Sequence, residues 1–200
     1  MINGSTAIVL NAHLPFVRQP DYCSFIEERW LFEALSETYL PLLRMFSHLD
    51  ADHVPWKLTM AFSPTLLTMF SDELIQSRYI AWLNKQIELG KKEQERTQHT
   101  TELHNLAVMY TELYERALDD FAVLYGKNII SAFDYYYKKG RLELMVGAAT
   151  GAFLPLYKQY QSAINAQVEA AIQVFRSVFS MIPNGFWVPH LGWYPELDKV

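Results

Sequence analysis

The sequence predicts an α/β chain built on a parallel sheet. Four short apolar runs have the composition of buried strands, and long stretches of helical periodicity separate each run from the next. Strands spaced in this way are joined by right-handed crossovers rather than by hairpins. Half of the 200 residues are hydrophobic, enough for one large core that hides roughly 70% of the surface an unfolded chain exposes. Four strand–helix units are too few to close an eight-stranded barrel.

The first strand is expected at residues 7–10, AIVL, a β-branched run followed at once by polar residues and Pro15. Over residues 27–49, Trp30, Leu31, Ala34, Leu35, Tyr39, Leu42, Leu43 and Phe46 recur at three-to-four spacing, the mark of one buried helical face. Pro41 interrupts that face and predicts a kink or a restart. The second strand, KLTMAF at 57–62, closes on Ser63-Pro64, where the serine is suited to cap a helix that begins at the proline.

Residues 71–125 read as a long polar helical region. Its Lys-, Glu-, Gln- and Thr-rich stretch at 90–101 is a solvated helix face rather than a binding motif. Gly126 breaks the pattern, and a further helix from Asn128 to Lys139 stops at Gly140. RLELMV at 141–146 is the third strand candidate and runs into GAATGAF and Pro155. An amphipathic helix over 162–179 precedes the fourth strand, GFWVP at 185–189. No internal repeat or low-complexity tract is present.

Composition removes several function classes. Lys and Arg number 17 against 22 Asp and Glu, a net charge of -5 with no basic stripe, so neither nucleic acid nor an anionic membrane is the expected partner. Residues 1–17 have no cationic start, and Asn11 and His13 interrupt their apolar run, so they lack signal-peptide anatomy. No apolar run approaches the length of a membrane span. The single cysteine, Cys23, forms no internal disulfide and fits a reducing compartment as a free structural thiol. The expectation is a soluble, cytoplasmic protein.

In a parallel α/β sheet, ligands gather at the carboxyl ends of the strands. Four stretches are expected there: Asn11-Ala12-His13-Leu14-Pro15, Phe62-Ser63-Pro64-Thr65, Gly147-Ala148-Ala149-Thr150-Gly151 and Pro189-His190-Leu191-Gly192-Trp193. Together they could line one cleft.

The segments AHLPFVRQPDY, EERWLFEALSETYLPLLR, SPTLL, RLELMVGAATGAFLPL and FWVPHLGWYPELD resemble, in order and spacing, the amino-terminal half of glycoside hydrolase family 57, specifically its α-1,4-glucan branching enzymes. The resemblance implies a partial (β/α)7-type barrel with parallel strands, spanning residues 1–200 with a large helical insertion at about 71–139. It also implies a retaining reaction on α-glucans such as glycogen or starch. The nucleophile of that reaction is a glutamate on the fourth strand, and the acid/base is an aspartate far along the chain, beyond residue 200.

The departures from the family pattern bear on chemistry. The first motif, with histidines two apart, keeps His13 but has Asn11 at the other position. Gly147 and Gly151 replace the cysteine and histidine of Cys-Ala-Ala-Thr-His, and His190 stands at the glutamate of Trp-Leu-Pro-Glu-Cys. Retention needs two carboxyl groups about 5–5.5 Å apart, and a neutral imidazole brings no negative charge to an oxocarbenium-like transition state. Glu143, Glu196, Glu27 and Glu28 are the nearest substitutes, and each lies away from the expected position.

His13 and His190 at neighbouring strand ends invite a metal. No third ligand stands at a recognisable spacing, so no metal or other cofactor is expected. Trp187, Trp193 and Tyr194 surround the altered position, where aromatic faces could stack on sugar rings or pack as core. The expected protein is thus related to branching enzyme and catalytically inactive as this chain. The alternative is a non-catalytic module that binds an α-glucan or a protein. An open four-stranded parallel sheet leaves an unpaired edge, so a homo-oligomer or a separate chain completing the barrel is expected too.

Overall fold

The structure, a computed structural model, describes residue 4, residues 6–22 and residues 25–200. Cys23 lies outside the described residues. The chain divides into two compact units, one of Met1–Phe16, Pro55–Ser71 and Phe133–Val200, the other of Val17–Val54 and Asp72–Ala132. Its strands are β1 (Val9–Ala12), β2 (Leu58–Phe62), β3 (Leu142–Gly147) and β4 (Phe186–Trp187). Its α-helices are α1 (Glu28–Ala34), α2 (Leu40–Ala51), α3 (Pro64–Phe70), α4 (Glu73–Thr97), α5 (Thr101–Leu118), α6 (Ile129–Lys138) and α7 (Gln161–Phe179).

The first unit holds the sheet. All four strands are parallel, in the order β1-β2-β3-β4, so the predicted α/β class holds and the barrel is not closed. Side chains alternate between the faces. Met60, Phe62, Leu144 and Val146 therefore share one face, and all are buried. The rings of Phe133 and Phe179 lie 5.1 and 6.1 Å from that of Phe62 and extend this core onto α6 and α7. Asn11, Thr59 and Glu143 share the other face, where the Thr59 hydroxyl donates to the Glu143 carboxylate at 2.7 Å.

The strands differ from the sequence expectation at both edges. β1 is shifted two residues towards the carboxyl end, because Ala12, not Leu10, aligns with the buried Phe62. Asn11 is therefore inside the strand and not beyond it. β4 is shorter than expected, two residues in place of five. Pro189 has no N–H to donate to a ladder, and His190 and Leu191 both have φ of 55°, a left-handed backbone that cannot continue a strand.

The second unit is helical. Its core is Leu31, Phe32, Leu35, Leu40, Leu43 and Phe46 from the first helical stretch, with Ile75, Tyr79 and Leu83 from α4 and Phe121 beyond α5. The Pro41 interruption takes a specific form: residues Leu35–Tyr39 are π-helical, and the Leu40 N–H reaches back to the Leu35 carbonyl. Proline at 41 cannot donate to the carbonyl four residues earlier, so the chain widens one turn before it.

The widened turn is held by a buried hydroxyl pair. Ser36 Oγ donates to the Phe32 carbonyl at 3.0 Å and lies 2.8 Å from Tyr79 Oη. The single serine proton is committed to the carbonyl, so Tyr79 donates to Ser36. Burial also pushes the Tyr79 phenol well above the ordinary tyrosine range. A second polar lock is Arg78. Its guanidinium pairs with the buried Glu28 carboxylate and donates to the carbonyls of Gln19 and Tyr22, strapping the loop before α1 onto α4.

α4 and α5 form a helical hairpin whose approach is set by Gly90. A Cβ there would stand 2.3 Å from Thr111 Oγ1, and that hydroxyl is already bound to the Ala107 carbonyl and the Gln94 amide. No helix among the described residues is long and apolar enough to cross a membrane.

The Ser36–Tyr79 pair predicts an asymmetry. Tyr79→Phe removes the donor and leaves Ser36 satisfied, at a cost of about 1 kcal/mol, whereas Ser36→Ala strands a buried O–H at a cost of about 1–3 kcal/mol. Urea denaturation of the two variants should rank Ser36→Ala as the less stable.

Candidate functional site

The carboxyl end of β2 is fixed by hydroxyls. Ser63 caps α3 as expected, its Oγ accepting from the Leu66 N–H, and Pro64 takes the first helical position. Thr65 Oγ1 donates to the Leu14 carbonyl at 2.7 Å, and Ser63 Oγ lies 3.0 Å from it. The Ser63 N–H in turn donates to the Ala12 carbonyl. The segment after β1, which carries His13, is thereby tied to the start of α3.

The loop after β3 is anchored to α7 by Gln167. Its side-chain carbonyl accepts from both the N–H and the hydroxyl of Thr150, at 2.9 and 3.1 Å, and its main-chain carbonyl accepts from Ala149. The loop closes as a turn, with the Gly151 N–H on the Ala148 carbonyl. Gly151 has φ of 69°, and a Cβ there would stand 2.7 Å from His13 Cε1 and 3.0 Å from Nε2. The His13 ring occupies the space a side chain at 151 would take. Gly147 is under no such constraint: a Cβ there would meet only the Trp187 carbonyl, at 3.7 Å.

After β4 the backbone makes two consecutive left-handed residues, His190 and Leu191. The Phe153 ring fixes them from one side. Its centroid is 6.5 Å from that of His190, and its edge lies 2.4 Å from where a Gly192 Cβ would be, with Pro155 at 3.0 Å. Gly192 is glycine because an aromatic ring fills the place of its side chain. His190 itself is exposed and lies near enough for its charge to act on His13. Burial first, and His190 second, hold the His13 imidazole below the ordinary histidine value.

The structure thus brings together three of the stretches expected to line a cleft, through His13, Gly151 and His190, and ties the fourth to them through Thr65 and Leu14. The expected aromatic residues are distributed differently. Trp187 lies half-buried on β4 in register with Gly147, its indole N–H buried without a partner. Trp193 is 62% exposed and lines a groove along β4 with Val188 and Leu197. Tyr194 packs against the cluster of Ala148, Leu154, Ile164 and Leu197, its hydroxyl buried without a partner and Lys158 Nζ 5.5 Å from its ring centre.

The carboxylates considered as substitutes stand elsewhere. Glu143 is the second residue of β3 and accepts from Thr59. Glu196 pairs with Lys199, and Glu28 is buried against Arg78. Among the described residues, no three or more His, Cys, Asp or Glu side chains gather as a metal site. Two contributors were not singled out from sequence, Phe153 and Gln167. Phe153 lies inside a quoted motif but with nothing to mark it from core, and Gln167 is one polar residue on an amphipathic helix.

The sequence profile described as Glycosyl hydrolase family 57 matches residues 7–200. A 1,4-alpha-glucan branching enzyme of Thermococcus kodakarensis is 29% identical over 194 residues, which is 97% of this chain and 28% of that enzyme. Among solved structures, the chain superposes on the alpha-amylase AmyC of Thermotoga maritima with a TM-score of 0.90 and 40% identity, over 96% of this chain and 36% of the other. A branching enzyme of that family type from Pyrococcus horikoshii gives 0.84 and 27%, over 92% of this chain and 34% of the other. The chain therefore spans about a third of the length of the proteins it matches.

Two predictions follow from the glycines and the histidine pair. Gly151→Ala should cost about 1–2 kcal/mol, from the left-handed backbone and the contact with His13, while Gly147→Ala should stay within about 0.5 kcal/mol. Thermal melts of Gly151→Ala with and without His13→Ala should show coupling of about 0.5 kcal/mol or more. In an NMR titration, His13 should titrate below the ordinary histidine value, and His190→Ala should raise it without restoring that value, because burial is the larger cause. A histidine depressed in the folded state stabilises the fold above its unfolded pKa, so this contribution is lost as pH falls from there through the folded value.

Proposed function

The chain belongs to glycosyl hydrolase family 57, and from that premise we propose that it forms the amino-terminal strands of an α-glucan-directed (β/α)7-type barrel that performs no glycosyl transfer as this chain. One observation carries the reading. At the carboxyl end of β4, the position that the family resemblance assigns to the nucleophile, stands the exposed imidazole of His190.

A retaining glycosidase attacks the anomeric carbon with a carboxylate whose negative charge also stabilises the developing oxocarbenium ion. Imidazole carries no such charge. His13, the other titratable group there, is held below the ordinary histidine value by burial and by His190, and it too brings no negative charge. Glu143 is too early on β3 and already bound to Thr59. What remains around His13 and His190 is a site without a carboxylate, bordered by the Phe153 ring, and the reading gives it the role of holding an α-glucan rather than cleaving it.

Two measurements test this. Incubation with amylose, read by iodine staining and by reducing ends, should give no change over a heat-killed control; sustained turnover would refute the reading. His190→Glu should not restore activity, because Asn11, Gly147 and Gly151 leave the new carboxylate without groups to orient it, and a catalytic group lacking its supporting shell is poorly placed. Retardation in a gel containing glycogen or amylose is the test of glucan binding.

A further inference from the structure

We infer that the helical unit carries an α-glucan-binding surface of its own, formed by the stacked rings of Tyr110 and Tyr114 on α5 and bordered by Glu33, Glu37 and Arg29. The inference rests on the reading above that the chain is directed at α-glucans, and it adds a contact that uses none of the residues at the strand ends.

A helix that only packs turns its large apolar residues inward, and α5 does the reverse. It buries Thr111 and Ala117, while Leu106 and Tyr110 are 50% and 44% exposed. One turn further along this exposed stripe, the rings of Tyr110 and Tyr114 are nearly parallel, 27° apart, with centroids separated by 6.1 Å. The pair is held from behind. Trp82 of α4 meets Tyr114 edge-on at 5.3 Å and itself packs on Phe32 and Tyr79 at 5.7 and 6.2 Å. The platform is thus tied to the buried core before any ligand arrives, so binding orders little and keeps most of its contact energy.

The polar border names the ligand. Burial first, then Glu37, Tyr110 and Glu33, push the Tyr114 phenol above the ordinary tyrosine value, and Arg29 pulls it back. Two carboxylates and a guanidinium therefore lie within electrostatic reach of the ring, with Arg29 paired to Glu33 at 3.4 Å on the surface. The carboxylates repel an anion, and Arg29 opposes a cation. A neutral ligand rich in hydroxyls uses both, donating to the carboxylates and accepting from the guanidinium. A pyranose fits such a surface, because its C–H face stacks on the aromatic rings while its rim of hydroxyls meets the charged groups. The relative that acts as a 1,4-alpha-glucan branching enzyme selects α-glucan among such ligands.

The experiment is electrophoresis of the chain through gels containing a series of amylose concentrations. Tyr110→Ala should weaken retardation about threefold, and Tyr110→Ala with Tyr114→Ala about tenfold. Tyr110→Phe keeps the ring and should keep most of the binding. Tyr135→Ala, at a tyrosine 51% exposed on α6, should change nothing. Far-ultraviolet circular dichroism and melting show whether each variant keeps its fold, and Tyr110→Ala, which removes an exposed ring, carries the test without the double variant. Retardation indifferent to Tyr110→Ala, or no retardation of the unaltered chain, would overturn the inference. So would capture of polylysine through Glu37 without retardation by amylose, because the ligand would then be a cation. If retardation falls only with His13→Ala or Trp193→Ala, glucan is held at the strand ends alone; the inference then fails and the reading of that site stands. Amylose turnover by a chain whose retardation depends on Tyr110 would instead overturn that reading and leave the inference standing.

Discussion

One row of residues crosses the whole sheet: Ala12 on β1, Phe62 on β2, Val146 on β3 and Phe186 on β4. Phe62 and Val146 are fully buried and Ala12 nearly so, and a slip of one residue in any strand would turn that strand's apolar side chains to the opposite face. The register is therefore fixed by burial, and everything beyond the row is placed by it. His13, Ser63, Gly147 and Trp187 each follow the row by one residue. The candidate site is the set of loops that begin where this row ends.

What those loops bring together is chemically mild. Two imidazoles, a glycine turn and the face of Phe153 meet at the carboxyl ends of the strands. The helical unit, by contrast, holds ions in protected places. Glu28 is buried against Arg78, and Arg44 lies 3.2 Å from Asp120, whose carboxyl burial pushes up while the guanidinium pulls it down. Those charges are spent on architecture, strapping a loop to α4 and packing helices together. The loops after the strands carry no such buried ion pair among the described residues.

Most of the architecture was legible because it follows from local rules. Ser63-Pro64 announces a helix start, and the cap is there. Pro41 announces an interruption, although only the hydrogen-bond geometry shows that the break is a π-turn placed before the proline. The edges were less legible. AIVL reads as a complete strand from composition, but pairing with β2 decides where β1 lies, and a single sequence does not display its partner's register. GFWVP reads as a strand through its aromatic and β-branched residues, yet Pro189 and the left-handed pair after it end the ladder early. At the site, His13 and His190 were visible as residue types in motif positions. Phe153 and Gln167 act through packing and loop anchoring, for which sequence spacing has no signature.

The turn at Gly151 couples two loops. With the His13 ring lying where a side chain at 151 would be, and with φ of 69° at that residue, the present geometry accepts glycine and little else. The family pattern, as the resemblance has it, places a histidine at this position. A side chain at 151 would meet an occupied space on a backbone that does not suit it, so admitting one requires the His13 ring and the turn to move together. The loops after β1 and β3 thus behave as a single mechanical part, and neither can be redesigned without the other.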